Sequence, residues 1–256
     1  MIHPTAIISP SAIVADNVAI GAYTIVGDGV SIGDGTRIGP HVVIDPHVAI
    51  GPRCRIFQYA TLGVRPGDSK TNGDRNQVVI GSDVTIREFA IVQRGTGTGG
   101  GITAIGDQSY LMAYTHIAHD CKVGIKVVLA NNATLAGQST IGDHVTLGGL
   151  VEIHQSVRVG DYTFVGGKTS AEKDIPPYVI AAGDPIMLRG LNHVGLKRHN
   201  FSEPALAALK KAYRILFRYG LPQNEAIERI RAEVERLPEV EHFVDFISSA
   251  RHGVTQ

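Results

Sequence analysis

Two histidines and an aspartate lie close together in residues 116–121 (HIAHDC). Imidazole exchanges a proton near neutral pH, and a neighbouring carboxylate can fix its tautomer and favour its cationic form. A positioned imidazole of this kind is typical of a general base that removes a proton from a hydroxyl group. We therefore interpret His119, with Asp120 beside it, as a candidate base, against the alternative of solvated surface side chains.

An aliphatic residue at every sixth position indicates the scaffold that carries these side chains. The column runs from Ile2 to Leu62, resumes at Ile80, and continues from Ile105 to Val165. Neither a helix, with a period of about 3.6, nor a strand, with a period of about 2, gives such a run, whereas a hexapeptide solenoid does. Three units then form one coil of a narrow triangular prism with short parallel strands on its faces, so residues eighteen apart stack on one another.

The same column predicts which side chains face outward. Ile117 and Cys121 occupy inward positions, so His116, His119 and Asp120 are expected on the outer surface. The cysteine is then a buried, reduced thiol rather than a ligand or a nucleophile.

Stacking by eighteen places a glycine over the candidate base. Gly137 follows His119 by eighteen residues, and its backbone N–H can face a developing oxyanion with no side chain in the way. By the same count, Gln138 stacks on Asp120, and Gln155 lies two coils from His119. The candidate catalytic residues are therefore His119, Asp120 and Gly137.

The composition fits this scaffold and excludes some functions. The chain of 256 residues has 30 glycines, 6% aromatic residues and no tryptophan, as expected for a prism too thin for large rings. Lys plus Arg equals Asp plus Glu at 24 each, so no overall basic field favours nucleic acid. The repeat begins at Ile2 and no apolar run reaches transmembrane length, so we expect a cytoplasmic protein without a membrane-spanning segment.

Two polar or glycine-rich segments interrupt the repeat, and a change of period divides the chain. Excursions are predicted near residues 64–78 (containing RPGDSKTNGDRNQ) and near residues 96–104 (containing TGTGGGIT), where projecting loops commonly carry binding function. The prediction is a β-helix over residues 1–190 and a helical domain over residues 191–256. Ser202 is the expected N-cap of the first long helix, and Gly220 its stop.

Three amphipathic helices are predicted in the C-terminal part, too small to build a core alone, and they are expected to pack on the solenoid, on each other or on a neighbouring subunit. Their apolar faces are Leu206, Leu209, Tyr213, Leu216 and Phe217; Ile227, Ile230, Val234 and Leu237; and Val240, Phe243, Val244 and Ile247.

Five segments carry a resemblance to a known family. IFQYATLG, HIAHDC, LANNATLAG, IPPYVIAAGDP and GLKRHNFS occur in the order and spacing of the bacterial UDP-N-acetylglucosamine O-acyltransferases that start lipid A synthesis. The resemblance implies a mainly β fold, a left-handed parallel β-helix with C-terminal α-helices, and a homotrimer with active sites between subunits. It also implies transfer of an (R)-3-hydroxyacyl chain from acyl carrier protein to the 3-hydroxyl of UDP-N-acetylglucosamine, with no metal or other cofactor.

The resemblance also assigns roles to individual positions. His119 corresponds to the family's base, Asp120 to its supporting acid, Gly137 to its oxyanion donor and Gly167 to the residue that sets acyl-chain depth. The positions that correspond to sugar-nucleotide contacts are Asp68, Lys70, His116, Gln155, Asn192 and Arg198, the last two for the uridine diphosphate part. Arg suits that part because its guanidinium donates a charge-assisted fork to phosphate.

Several positions depart from the family pattern. Gln93 and Gln138 replace histidines, and glutamine keeps a hydrogen bond but holds no proton at neutral pH. Val194 and His199 replace a usual glutamate and arginine near the uridine diphosphate site. The acyl-donor contacts or the preferred acceptor are therefore open to change.

Three alternatives stay open at this point. The same scaffold can acylate the 3-amine of a UDP-amino-sugar, or it can be a noncatalytic solenoid for binding or assembly, since fold does not imply function. The weakest alternative is a metal-dependent hydrating enzyme with zinc at His116, His119 and His144, because the sequence shows no histidine ladder to supply the ligands.

Basic residues can steer an acidic carrier protein to its site. Candidates for this role are Arg158, Lys168, Lys173 and Arg189.

Overall fold

The computed structural model describes residues 1–67, 76–97, 99–250 and 253–256. In this part of the chain, the repeat forms three parallel sheets, and each sheet takes every third strand in chain order. The result is the expected left-handed parallel β-helix, an exception to the right-handed rule for parallel crossovers. The repeat is interrupted at the two predicted excursions.

The strands of each prism face are as follows. The first face contains Ile7–Ile8, Ile25–Val26, Val43–Ile44, Thr61–Val64, Ile91–Gln93, His116–Ile117, Thr134–Leu135, Glu152–Ile153 and Ser170–Ala171. The second face contains Ile13–Val14, Ser31–Ile32, Val48–Ile50, Gln77–Ile80, Ile102–Ile105, Lys122–Val123, Thr140–Ile141 and Arg158–Val159. The third face contains Ala19–Ile20, Arg37–Ile38, Arg55–Ile56, Thr85–Ile86, Tyr110–Leu111, Val128–Leu129, Thr146–Leu147, Phe164–Val165, Val179–Ala182 and, antiparallel at its end, Met187–Leu191.

We call the edge between the first and second faces the first corner. The edge between the second and third faces is the second corner, and the edge between the third and first faces is the third corner.

The register of strand pairing shows that both excursions leave from the first corner. Thr61 pairs with Ile91, thirty residues on, and Ile91 pairs with His116, twenty-five residues on, instead of the usual eighteen. The excursions therefore insert twelve and seven residues, each between a first-face and a second-face strand.

The interior of the prism contains the predicted column. From Ile20 onward the aliphatic residues of this column are almost completely buried. The small inward positions are buried as well, and two of them hold the free cysteines Cys54 and Cys121. Ile2 is an exception, because it is 47% exposed at the open end of the prism. Burial is therefore a property of stacked coils, and the terminal coil lacks a neighbour on one side.

Four helices follow the prism in the described part of the chain: α1 (His193–Arg198), α2 (Glu203–Arg218), α3 (Gln223–Glu233) and α4 (Pro238–Ser248). Ser202 caps α2 by accepting from the Ala205 N–H at 3.2 Å, as predicted. The short helix α1 was not predicted, because six residues are too few to show a helical period. No described helix has the length and apolar character needed to cross a bilayer.

Ionic and aromatic contacts attach α4 to the last coils. Arg158 pairs with the buried carboxylate of Asp174 at 2.7 Å, donates to the Phe246 carbonyl and lies over the Phe246 ring. His242 on α4 pairs with Asp161 at 2.9 Å. Arg158 is thus occupied in holding the helices to the prism, which argues against the suggestion that it steers a partner. The boundary at residue 190 stays a prediction.

Candidate active site

The candidate base and its acid form a close pair at the first corner. His119 Nδ1 lies 2.8 Å from Asp120 Oδ2, and the side chains are 21% and 1% exposed, respectively. Both residues follow the strand His116–Ile117, and Asp120 takes a positive φ of 61° at the corner. This tight turn projects the imidazole outward while the carboxylate stays beneath it.

The glycine-rich excursion surrounds the Asp120 carboxylate with donors. The Thr96 N–H donates to both carboxylate oxygens at 3.0 and 3.1 Å, and the Thr96 hydroxyl donates to Oδ2 at 2.6 Å. The Gly101 N–H donates to Oδ1 at 3.1 Å. These donors suit the acceptor-only, ionised form of the acid, so the proton in the contact with His119 lies on Nδ1. The neutral imidazole then has its acceptor at Nε2, which is the tautomer a general base needs.

Gly137 stacks on His119 as the spacing of eighteen predicts. The Gln138 N–H donates to the His119 carbonyl at 2.9 Å, which joins the two coils. A Cβ at position 137 would lie 2.6 Å from both Cε1 and Nε2 of His119, so the imidazole occupies the space that a side chain would need. Within the described residues, the Gly137 N–H has no hydrogen-bond acceptor. The backbone of Gly137, with an N–H that makes no hydrogen bond to the described residues, therefore lies beside the candidate basic nitrogen of His119.

Other predicted residues lie near the same corner. His116 is half-buried on the first face, three residues before His119 in the same coil, and burial lowers its pKa, which favours neutral imidazole. Gln155 is exposed two coils from His119. Asp68 and Lys70 lie outside the described residues, although the excursion to which they belong leaves from the first corner.

The remaining predicted residues lie at the other two corners of the same chain. Gly167 is exposed at the third corner, between the strands Phe164–Val165 and Ser170–Ala171. Asn192 donates to the Tyr162 carbonyl at 2.9 Å and accepts from the Gly195 N–H at 3.1 Å, so its amide supports the start of α1 at the second corner. Arg198 is exposed at the end of α1. Within one copy of the chain, the described members of the predicted set therefore lie at three different corners.

The accessory positions follow the same geometry. Gln138 stacks over Asp120 and accepts from the Ser156 hydroxyl at 3.2 Å, and Gln93 ends a first-face strand. His144 stacks on Tyr162 at the second corner, away from His116 and His119. The described residues contain no group of three His, Cys, Asp or Glu side chains arranged for a metal ion. Burial raises the pKa of the Cys121 thiol to about 11, so it stays protonated near neutral pH.

Sequence reasoning missed the residues that hold Asp120. Thr96 and Gly101 were assigned only to a glycine-rich excursion, with no contact specified. The available signal was the extra residue that this segment adds to the period, together with its position at the corner that carries His119. That signal locates the loop but does not give the direction of its N–H groups.

The prism of six-residue repeats, with an outward imidazole over a buried carboxylate at one corner, belongs to the hexapeptide-repeat class, and residues 29–63 match the family model described as bacterial transferase hexapeptide (six repeats). Residues 174–255 match the model for domain 2 of UDP-N-acetylglucosamine O-acyltransferase. The chain belongs to the family of UDP-N-acetylglucosamine O-acyltransferases that use acyl-acyl-carrier-protein, as its curated relatives show.

The similarity to individual members is high. The relative from Xylella fastidiosa is 43% identical over 198 residues, 77% of this chain and 75% of that protein. The relative from Thiobacillus denitrificans is 44% identical over 202 residues, 79% of this chain and 78% of that protein. The UDP-N-acetylglucosamine O-acyltransferase structure from Moraxella catarrhalis has a TM-score of 0.96 at 42% identity, covering 100% of this chain and 99% of that one. The structure of a UDP-N-acetylglucosamine acyltransferase from Bacteroides fragilis has a TM-score of 0.98 at 36% identity, covering 100% of both chains. The resemblance drawn from the five segments is confirmed.

Proposed function

We propose that this protein transfers an (R)-3-hydroxyacyl chain from acyl carrier protein to the 3-hydroxyl of UDP-N-acetylglucosamine, the first step of lipid A synthesis. The observation that carries the proposal is the first corner, where an imidazole with a free Nε2 lies beside the Gly137 N–H. Membership of the O-acyltransferase family supports the reaction class. We also propose that the reaction takes place in the cytoplasm.

The proposed mechanism needs one base and one oxyanion donor. His119 Nε2 removes the proton from the sugar hydroxyl as its oxygen attacks the thioester carbonyl. The Gly137 N–H donates to the oxygen that becomes negative in the tetrahedral intermediate. When the intermediate collapses, the C–S bond breaks, and His119 returns the proton to the departing thiolate. Asp120 stabilises the imidazolium between these steps through the contact at Nδ1.

A homotrimer explains how residues at three corners can serve one site. His119, Asp120 and Gly137 belong to the first corner, Gly167 to the third, and Asn192 and Arg198 to α1 at the second. Because one chain separates these groups, a site that uses all of them needs a corner from a neighbouring copy. Cyclic symmetry then repeats the same contact at each subunit boundary.

The substrate-binding assignments follow this arrangement. We assign Asp68, Lys70, His116 and Gln155 to the sugar nucleotide, with Asn192 and Arg198 at its uridine diphosphate part. Asn192 would contact the ligand only with the lone pairs and donors that its capping role leaves, whereas the exposed Arg198 is available to phosphate. Gly167 borders the acyl chain, where the absence of a side chain permits depth.

A basic groove between the prism and α2 supports binding of the acidic carrier protein. It encloses about 590 Å³. Its lining includes Arg189, His193, Lys210, Arg214 and Arg218, with one acidic residue, Glu203. Complementary charge of this kind accelerates encounter and orients an acidic partner.

Charge reversal in this groove is expected to weaken use of the carrier thioester selectively. The double variant Lys210→Glu/Arg214→Glu should raise KM for the acyl carrier substrate by about ten-fold at low salt, because like charges then meet at the contact. KM for UDP-N-acetylglucosamine should be unchanged, and the difference should shrink as ionic strength rises. Steady-state kinetics at several salt concentrations measures this. The control is Arg231→Glu, an exposed arginine on α3 outside the groove; equal effects of control and double variant would contradict the assignment.

Identification of the product tests the function itself. The purified protein is incubated with mixed (R)-3-hydroxyacyl carrier thioesters and equal amounts of UDP-N-acetylglucosamine and its 3-amino analogue, and mass spectrometry follows the products. We expect an ester at the 3-hydroxyl as the main product. A predominant amide would establish the amino-sugar alternative, which the glutamines at positions 93 and 138 keep open. Thioester that stays unconsumed would leave a binding solenoid instead.

A further inference from the structure

The seven-residue insertion at the first corner converts an ordinary turn into a holder for the Asp120 carboxylate. Thr96 supplies two donors, its N–H and its hydroxyl, and Gly101 supplies a third. The corner of the next coil has no such insertion, and there the side chain of Gln138 accepts one hydrogen bond, from the Ser156 hydroxyl. The extra donors are therefore specific to the coil that carries His119.

One carboxylate oxygen connects the loop to the base. Asp120 Oδ2 accepts from the Thr96 hydroxyl at 2.6 Å and from His119 Nδ1 at 2.8 Å. The position of this oxygen determines where the imidazole lies and which nitrogen carries the proton. The Thr96 hydroxyl and the imidazole therefore share this oxygen, and loss of the hydroxyl removes the shorter of the two contacts that fix it.

The loop approaches the carboxylate so closely that only glycine fits at one position. A Cβ at Gly99 would lie 2.1 Å from Asp120 Oδ2 and 2.3 Å from its Cγ. The backbone of Asp120 is anchored as well, because its N–H donates to the hydroxyl of the fully buried Thr103 at 2.8 Å. The acid is thereby fixed from its backbone and from its carboxylate, in a place where it is 1% exposed.

We propose that Thr96 is a positioning residue for acyl transfer, which holds Asp120 Oδ2 so that His119 presents Nε2 to the acceptor hydroxyl. The inference rests on the proposed role of His119 as the base. Thr96 touches neither reacting atom; it acts through Asp120 and then through the imidazole. The glycines at positions 99 and 101 let the loop backbone reach the carboxylate, and among the described loop residues Thr96 supplies the side-chain donor of the holder.

Kinetics of two threonine variants test this role. Thr96→Val keeps the size and the backbone N–H but removes the hydroxyl, and we expect kcat to fall about ten-fold, as for loss of one hydrogen bond to a charged group. KM for both substrates should stay within about two-fold, because binding does not use the hydroxyl. Thr96→Ser restores the hydroxyl and should recover most of the rate. Thr146→Val, on the third face, is the matched control. A Thr96→Val enzyme with normal kcat, or a serine variant as slow as the valine variant, overturns the proposal.

A double-mutant cycle separates positioning from a general loss of packing. In an Asp120→Ala background, Thr96→Val should change kcat by less than about two-fold, because residues that act through one another are not additive. If the loop were important only for folding, or if Thr96 touched substrate directly, the full loss would persist in that background, and the proposal would be wrong.

Nitrogen NMR keeps this test independent of turnover. Long-range ¹H–¹⁵N spectra distinguish the two imidazole tautomers, and His119 is assigned from the signal lost in His119→Ala. We expect the Nδ1–H form in the wild-type protein and a mixture of tautomers in Thr96→Val. A wild-type protein that makes no product but shows these spectra would refute the proposed function and leave the holder intact. Unchanged spectra in Thr96→Val would refute the holder alone.

Discussion

Replacement of His119 by alanine is expected to lower kcat by about 10²- to 10⁴-fold, the usual contribution of a positioned general base. Among the described residues of this site, no second imidazole is paired with a buried carboxylate; His116 lies in the same coil, on the first face, without such a partner. Substrate affinity should change little, since the proton is removed only as the transition state forms. Steady-state assays with isothermal titration of UDP-N-acetylglucosamine measure both effects.

Two controls make this result specific. His3→Ala removes an exposed histidine from the first coil and should leave turnover unchanged. Thermal unfolding of His119→Ala should follow that of the wild-type protein, because the ring is partly exposed at a corner and outside the aliphatic core. A variant that folds normally and retains wild-type kcat would remove His119 from the mechanism.

Substitution of Gly137 by alanine is expected to lower kcat by about 10²-fold or more, because an added methyl group displaces the base. The new Cβ would lie 2.6 Å from Nε2 and Cε1 of His119, a separation that forces the ring to move by a large fraction of an ångström. A misplacement of about 1 Å in a reacting group can cost about 10²-fold in rate. Any shift of the backbone also moves the proposed oxyanion donor, which adds to the loss.

The backbone of Gly137 does not itself demand glycine, which makes this variant informative. Its φ lies outside the left-handed region, so alanine meets the imidazole but no conformational penalty of that kind. We expect a folded protein of unchanged oligomeric size and low kcat, measured by size-exclusion chromatography beside the kinetic assay. Relief of the clash by removing the ring offers a further check: Gly137→Ala should cost little in a His119→Ala background. Full activity of the single variant would show that His119 does not work in the position described.

The sequence was sufficient for the architecture because the prism is built from a strict repeat. An inward residue at every sixth position fixes the strands, the stacking by eighteen and the outward direction of His119, and the structure has each of these. The same arithmetic correctly placed Gly137 over the imidazole. Membership of the O-acyltransferase family could also be predicted from the sequence, because five separate segments occur in the family's order.

Contacts made by residues outside the repeat could not be predicted from the six-residue spacing. The donors of Thr96 and Gly101 depend on the path of an irregular loop, and no period specifies the direction of its N–H groups. From the sequence, Arg158 was interpreted as a surface cation. In the structure it contacts the ring and the carbonyl of Phe246 on α4, a helix far from it in the chain. The capping role of Asn192 was likewise not predicted, because α1 is too short to show a helical period in the sequence. Each of these side chains is determined by an element far from it in the chain or too short to detect.

The pH dependence of single-turnover acyl transfer tests most directly whether His119 removes the proton. Enzyme in excess over the (R)-3-hydroxyacyl carrier thioester is mixed with saturating UDP-N-acetylglucosamine, and the rate of ester formation is measured across the stable pH range. We predict an acid limb of unit slope in the wild-type protein, because one neutral imidazole is needed, and a low rate without that limb in His119→Ala. A wild-type rate independent of pH, or the same limb in His119→Ala, would contradict the mechanism.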